Sequence, residues 1–303
     1  MAGSTGKIFC LFLFSFFFFH LYGEETGKND LPAKPDSSVK RSLQRRFHIE
    51  KRQYDISEED LIKTLDSLPA FAVFKDAFFI TGIPLDRQIN NKTADAMFQV
   101  SIRQRLTKSY LPFNFFAYLT FSQKAFWDIY SDSSPFRDIN FNPGLGIGKY
   151  LIKDNKLIGA TFIQIEHESN GKDSIDSRSW NYLSFSLKYF FSPNFSTNIK
   201  LWAPYVDGGE NKDLIRYRGI GTISGNYLSP NEKWWISGEL NPRKGFGNVN
   251  TTFSVAYKVS RRHNQYLFAR FFNGRGDSLL NYKEYEMNIR VGICIKPDFY
   301  SIY

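Results

Sequence analysis

From Ala70 onward the chain alternates apolar and polar residues with a period of two, in segments of about ten residues broken by turns rich in Asn, Gly, Asp and Pro. Between 115 and 123, Phe115, Ala117, Leu119 and Phe121 share one face while Phe116, Tyr118, Thr120 and Ser122 share the other. Leu183, Phe185, Leu187 and Tyr189 oppose Ser184, Ser186 and Lys188 in the same way. The clearest segment sets Tyr285, Met287, Ile289, Val291, Ile293 and Ile295 against Glu284, Glu286, Asn288, Arg290, Gly292 and Cys294. Successive side chains of a strand point to opposite faces, so each segment reads as a strand with one hydrocarbon face.

A soluble sandwich shows the same alternation. Two features favour a transmembrane barrel: Tyr, Phe and Trp gather at the segment ends like interfacial girdles, and the chain finishes on an aromatic-tipped stretch, FYSIY. The expected fold is all-β, a twelve-stranded antiparallel transmembrane β-barrel over residues 70–303, with a narrow interior filled by polar side chains.

Ahead of the barrel, Lys7 precedes an apolar run from Ile8 to Phe19, and Gly23 offers a small residue for cleavage, so residues 1–23 read as a secretory signal. Residues 24–69 form a polar arm with Pro32 and Pro35, expected to be exposed, with a short helix around Ile56 to Ser67. No stretch beyond the signal has the roughly 20 apolar residues of a membrane-spanning helix.

Composition supports the membrane reading. Of 303 residues, 31 are Phe, 17 Tyr and 5 Trp, yet only 42% are hydrophobic and mean hydropathy is -0.36. The net charge of +9 comes from scattered Lys and Arg, a pattern that fits anionic head groups better than nucleic acid. Cys10 lies in the signal, so only Cys294 would remain after cleavage and no internal disulfide could form.

The chemistry lies between His167 and Asn181. Strand parity puts His167 and Ser169 on the lipid-side stripe of Ile163 and Ile165, and Asn181 on that of Leu183 and Phe185. A hairpin closed around Ser174 sets Asn181 opposite His167, with side chains roughly 5 Å apart. Polar groups facing lipid are costly unless paired, so the cluster is a candidate ester-hydrolase centre. A His and a Ser two residues apart near a loop are more often unremarkable, and it is the shared parity of three residues that lifts the pair above that background. His20, His48 and His263 have no comparable partners. The intervening SNGKDSIDS could hold a hard cation through its oxygens, and serves equally well as a solvated turn.

At this point the chain resembles a known family. HESNGKDSIDSRSWN is similar to the active-site signature of outer-membrane phospholipase A, and SQKAFWDIYSDSSPFRDINFNPGLGIG and GRGDSLLNY are similar to two further segments of that family. The resemblance spans roughly Phe74 to Tyr303. It implies an outer-membrane enzyme, exported by a cleaved signal, that hydrolyses acyl esters of phospholipids and lysophospholipids, requires Ca2+ and is active as a homodimer. By motif, Ser169 is the nucleophile, His167 the base, Asn181 its orienting partner and the Gly171 N–H part of the oxyanion hole. The resemblance also implies a calcium site at the dimer from the Lys172 carbonyl, the Ser177 hydroxyl and Ser133 of the second copy, with Glu210 where the family carries an Asp for a separate monomer site. Gln123 falls at a glutamine of the family's dimer interface, and is the polar residue continuing the outward stripe of Phe115 to Phe121. The competing classes are a non-enzymatic barrel, porin or structural, and a soluble secreted lipase.

Overall fold

The structure, a computed structural model, describes residues 57–205, 211–245, 247–260 and 264–302. Strands are numbered in chain order: β1 Phe71–Val73, β2 Ala77–Pro84, β3 Asp95–Arg105, β4 Phe116–Trp127, β5 Phe136–Lys153, β6 Lys156–Ser169 and β7 Ser179–Ser192. They continue with β8 Phe195–Tyr205, β9 Gly221–Leu228, β10 Trp234–Pro242, β11 Val249–Lys258, β12 Gln265–Arg275 and β13 Tyr285–Ile295. All pairings are antiparallel between neighbours, and β13 pairs with β2, which closes the sheet. β1 and β2 both pair with β3, offset by two residues at the break. They are two pieces of one stave, so thirteen strands make the expected twelve-stranded barrel.

The wall obeys the alternation. Outward residues such as Leu145, Ile165, Leu183, Leu201, Val291 and Ile293 are half or more exposed, which suits a surface bathed in hydrocarbon. Inward residues carry charge in pairs: Lys200 with Glu166 at 2.5 Å, Arg218 with Glu168 at 2.5 Å, Arg290 with Asp95 at 2.7 Å and Arg270 with Asp277 at 2.9 Å. Buried charges persist only when paired and hydrogen-bonded. The interior is less uniformly polar than expected, because the rings of Phe116, Tyr118, Tyr150 and Phe162 pack together at one end. Glycines of β5 make room for interior side chains: a Cβ at Gly148 would lie 2.6 Å from the Phe162 ring, and one at Gly144 would lie 2.0 Å from Gln164 Nε2. Beside this packing a cavity of about 480 Å3 remains.

One end has tight turns, such as Asp154-Asn155, where φ of 51° and 56° gives a two-residue hairpin. Two segments cover that end. Helix α1, Glu58–Asp66, starts at the Ser57 cap and buries Leu61 and Leu65. Its last carbonyls accept from the Arg105 guanidinium, with Leu65 O at 3.1 Å and Asp66 O at 2.6 Å, a cation at the negative end of the helix. The expected helix is therefore present, but residues 58–66 are docked, not part of an exposed arm. The second segment corrects the reading of FYSIY. β13 ends at Ile295 and the chain turns inward, burying Phe299 against Trp235 while Lys188 Nζ donates to Ser301 O at 2.5 Å. Phe299 and Tyr300 pack into the core of the barrel and are no lipid-facing strand end. The opposite end carries the longer loops, including 128–135, 170–178 and 276–284.

Candidate active site

The β6–β7 hairpin has the expected register, with His167 opposite Asn181 and Ser169 opposite Ser179. A one-turn 3-10 helix at Ser174–Asp176 closes it. His167 Nδ1 lies 2.9 Å from Asn181 Oδ1. An amide oxygen only accepts, so the proton of a neutral imidazole sits on Nδ1 and Nε2 keeps its lone pair. Ser169 follows two residues on along the same face, about 6.6 Å away along the strand. Its hydroxyl forms no hydrogen bond among the described residues, so the His167–Asn181 half of the expected triad is assembled while the Ser169 half is adjacent and open.

Asn170, between the nucleophile candidate and Gly171, is 4% exposed and shapes the loop. Its Nδ2 donates to Asp176 O at 2.9 Å, its Oδ1 accepts from Arg178 N at 2.9 Å, and its backbone N–H donates to Arg178 O at 3.0 Å. Gly171 takes φ +63°, a left-handed conformation that favours glycine, and a Cβ there would approach the Phe141 ring at 3.2 Å. Phe141 is the cross-strand neighbour of both Ser169 and Gln123, so Gln123 sits two strands, or about 10 Å, from the serine on the same lipid-facing row.

Behind this face the interior side chains interlock. Asn142 Nδ2 donates to His167 O and to Tyr182 Oη, each at 3.0 Å. Tyr182 donates to Glu166 at 3.0 Å, and Glu166 also accepts from Ser184 at 2.5 Å. Glu168 accepts from Trp180 Nε1 at 2.8 Å and pairs with Arg218.

A family model described as phospholipase A1 matches residues 82–295. The chain belongs to the phospholipase A1 family. It is an enzyme of the ester-hydrolase class that family defines. Among curated relatives, the phospholipases A1 of Salmonella typhimurium and of Escherichia coli are each 26% identical over 216 residues, covering 69% of this chain and 72% of theirs. Two solved barrels are similar in fold. Outer membrane phospholipase A from Escherichia coli has a TM-score of 0.67 at 21% identity, covering 76% of this chain and 99% of that one. The outer membrane phospholipase dimer of Salmonella typhi, with bound calcium, has a TM-score of 0.68 at 21% identity, covering 80% and 100%.

In this phospholipase A1 chain the expected calcium ligands are disposed as follows. Lys172 and Ser177 flank the Asn170-templated loop, and neither the Lys172 carbonyl nor Ser177 Oγ has a hydrogen-bond partner among the described residues. Two free oxygens beside the exposed carboxylates of Asp173 and Asp176 fit a hard cation that needs further oxygens from elsewhere. Ser133 lies in the neighbouring 128–135 loop at the same end, at φ +63°. That loop is held by Trp127 Nε1 donating to Ser134 O at 2.8 Å and by Arg137 bridging Asp128 and Asp95 at 2.7 Å each. No hydrogen bond joins Ser133 to Lys172 or Ser177 within one chain. Glu210 and His263 lie outside the described residues.

Sequence reasoning missed the supporting side chains, namely Asn142, Glu166, Glu168, Asn170 and Tyr182. The available signal was their parity: polar residues facing a barrel interior immediately behind a candidate site.

Proposed function

We propose that this chain is a calcium-dependent phospholipase A of the outer membrane that cleaves acyl esters of phospholipids and lysophospholipids and acts as a homodimer. The observation that carries the reading is the 2.9 Å His167–Asn181 contact beside Ser169 on a lipid-facing wall. Nothing in a structural barrel calls for a polar pair there, whereas an acyl-ester substrate approaches from that side.

In the reaction Ser169 Oγ attacks the ester carbonyl while its proton passes to His167 Nε2. Asn181 Oδ1 holds the Nδ1 proton and keeps the ring oriented, as a carboxylate does in charged triads. The Gly171 N–H donates to the developing oxyanion. Collapse breaks the ester C–O bond, and Nε2 returns its proton to the leaving alkoxide. Water, deprotonated by the same Nε2, then releases the fatty acid and restores the hydroxyl. Bound at the Lys172 carbonyl and Ser177 hydroxyl, Ca2+ would add positive charge near the oxyanion. Ser133 of a second copy would complete that ligand set, and Gln123 would lie in the shared face.

The barrel, its outward hydrocarbon belt and the named outer-membrane relatives support the location, and the N-terminal apolar run supports export through a cleaved signal. The test is release of fatty acid from phospholipid by detergent-dispersed protein. Calcium is expected to be required and chelation to stop turnover while the strand circular-dichroism signal persists. Undiminished turnover under chelation contradicts the calcium assignment.

A further inference from the structure

Besides a register shift at Leu151/Ile152, the ladder between β5 and β6 is interrupted beside the site. Pairing runs through Phe141↔Ser169 and resumes at Gly144↔Glu166 in unchanged register, which sets Pro143 abreast of His167. An antiparallel ladder alternates bonded and non-bonded pairs. The two missing pairs, at 142 and 143, are the two that would use an N–H of residue 143 donating to the His167 carbonyl. Proline has no N–H. The carbonyl of the candidate base would thus be an orphan between β5 and β6 near the loop end of the barrel, at the desolvation cost of an unpaired acceptor.

The orphan is not left open. Asn142, 9% exposed and facing the interior, donates its Nδ2 to His167 O at 3.0 Å. The same amide reaches Tyr182 Oη at 3.0 Å, and Tyr182 continues to Glu166, which also holds Lys200 at 2.5 Å. Tyr182 follows Asn181 in sequence and Glu166 precedes His167. One chain of hydrogen bonds therefore crosses β5, β6, β7 and β8 directly behind the imidazole–amide pair.

The same phase explains the front of the site. If His167 directs its backbone groups toward β5, then His167 and Asn181 form a non-hydrogen-bonded pair across β6–β7, the kind in which side chains approach most closely. Their 2.9 Å contact follows.

We infer that Asn142 is a positioning residue for the proposed hydrolysis: its side-chain amide substitutes for the backbone donor that Pro143 removes, and so fixes the strand segment that aims the His167 imidazole. It touches no substrate and acts through the His167 carbonyl. The inference rests on the proposed roles of His167 and Ser169.

The decisive experiment is a backbone rescue. Asn142→Ala is expected to lower kcat about tenfold or more, because small displacements of a catalytic group cost large factors in rate, with KM changed less than threefold. Pro143→Ala alone restores an N–H at 143 and is expected to leave turnover within about twofold of the unaltered enzyme. In the double variant that N–H takes over the bond, and kcat is expected to recover most of the loss. Asn142→Asp, isosteric but unable to donate when ionised, serves if the alanine protein does not fold, with rescue by Pro143→Ala again expected. Full kcat in either Asn142 variant overturns the inference, as does a loss in a folded barrel that Pro143→Ala does not repair. Amide hydrogen exchange of peptides covering 163–169, faster in Asn142→Ala and slowed again in the double variant, reads how firmly that strand segment is held. It separates failure of this inference from failure of the hydrolase reading, which would leave the unaltered protein inactive but the exchange pattern intact.

Discussion

At the residue scale the site is a matter of tautomer and parity. With Asn181 Oδ1 as acceptor, the proton of a neutral imidazole sits on Nδ1, and in the proposed reaction this adds no charge beside acyl chains. Asn181→Ala should lower kcat by 10- to 100-fold, the usual effect of losing a partner that orients an imidazole, and Asn181→Asp, which still accepts, should retain more activity than the alanine variant. Steady-state rates on one phospholipid distinguish these. The contact was legible beforehand because a strand has a period of two and a hairpin centred on Ser174 fixes the register. The support behind it was not. In sequence Asn142 is one more polar residue, and the role inferred for it depends on the folded ladder, where Pro143 lies opposite His167.

At the scale of elements, the 170–178 loop and the inward 276–284 loop do different work. Asn170 makes four hydrogen bonds across the 170–178 loop and none to the barrel wall. Asn170→Ala should weaken calcium binding and activity and leave the melting temperature of the barrel nearly unchanged, as isothermal titration and thermal melts would show. The second loop carries Asp277, whose side chain is 2% exposed. Burial alone would raise its pKa, but Arg270, Lys124 and Arg290 outweigh that and hold the carboxyl well below the usual range. A depressed folded pKa means that the stabilisation is full above the ordinary carboxylate pKa of about 4 and is lost as pH falls toward the folded value. Asp277→Asn leaves Arg270 and Lys124 without their carboxylate and should cost about 3–5 kcal/mol at neutral pH. Urea unfolding of the two proteins should differ at pH 7 and converge as the solution becomes strongly acidic. The motif GRGDSLLNY was visible as a family segment, yet only the folded loop shows Ser278 Oγ donating to Asp138 at 2.6 Å and Leu279 buried behind Trp180 and Tyr182.

At the scale of the whole molecule, alternation dictated the barrel, and closure follows because β13 meets β2. The strand count was readable up to the split stave of β1 and β2, which no periodicity marks. FYSIY misled because aromatic residues suit a membrane interface and a barrel plug equally well, and only the buried Phe299 decides between them. The proposed dimer makes a prediction of its own. If each site takes Ser133 from the opposite copy, Ser169→Ala and Ser133→Ala proteins are both impaired, but a heterodimer of the two contains one intact site. Random mixing should then restore about a quarter of full activity, given two-fold symmetry. Equal residual rates before and after mixing would mean that Ser133 serves its own chain or neither.

The central claim is that Ser169 is the nucleophile of a calcium-dependent acyl-ester hydrolase, and the most direct measurement is fatty-acid release from phospholipid by the detergent-dispersed dimer with calcium, compared with that of Ser169→Ala. Rapid release by the unaltered protein and a loss of at least a thousandfold in a folded Ser169→Ala barrel are expected. Full activity in Ser169→Ala, or none in the unaltered protein with calcium present, would contradict it.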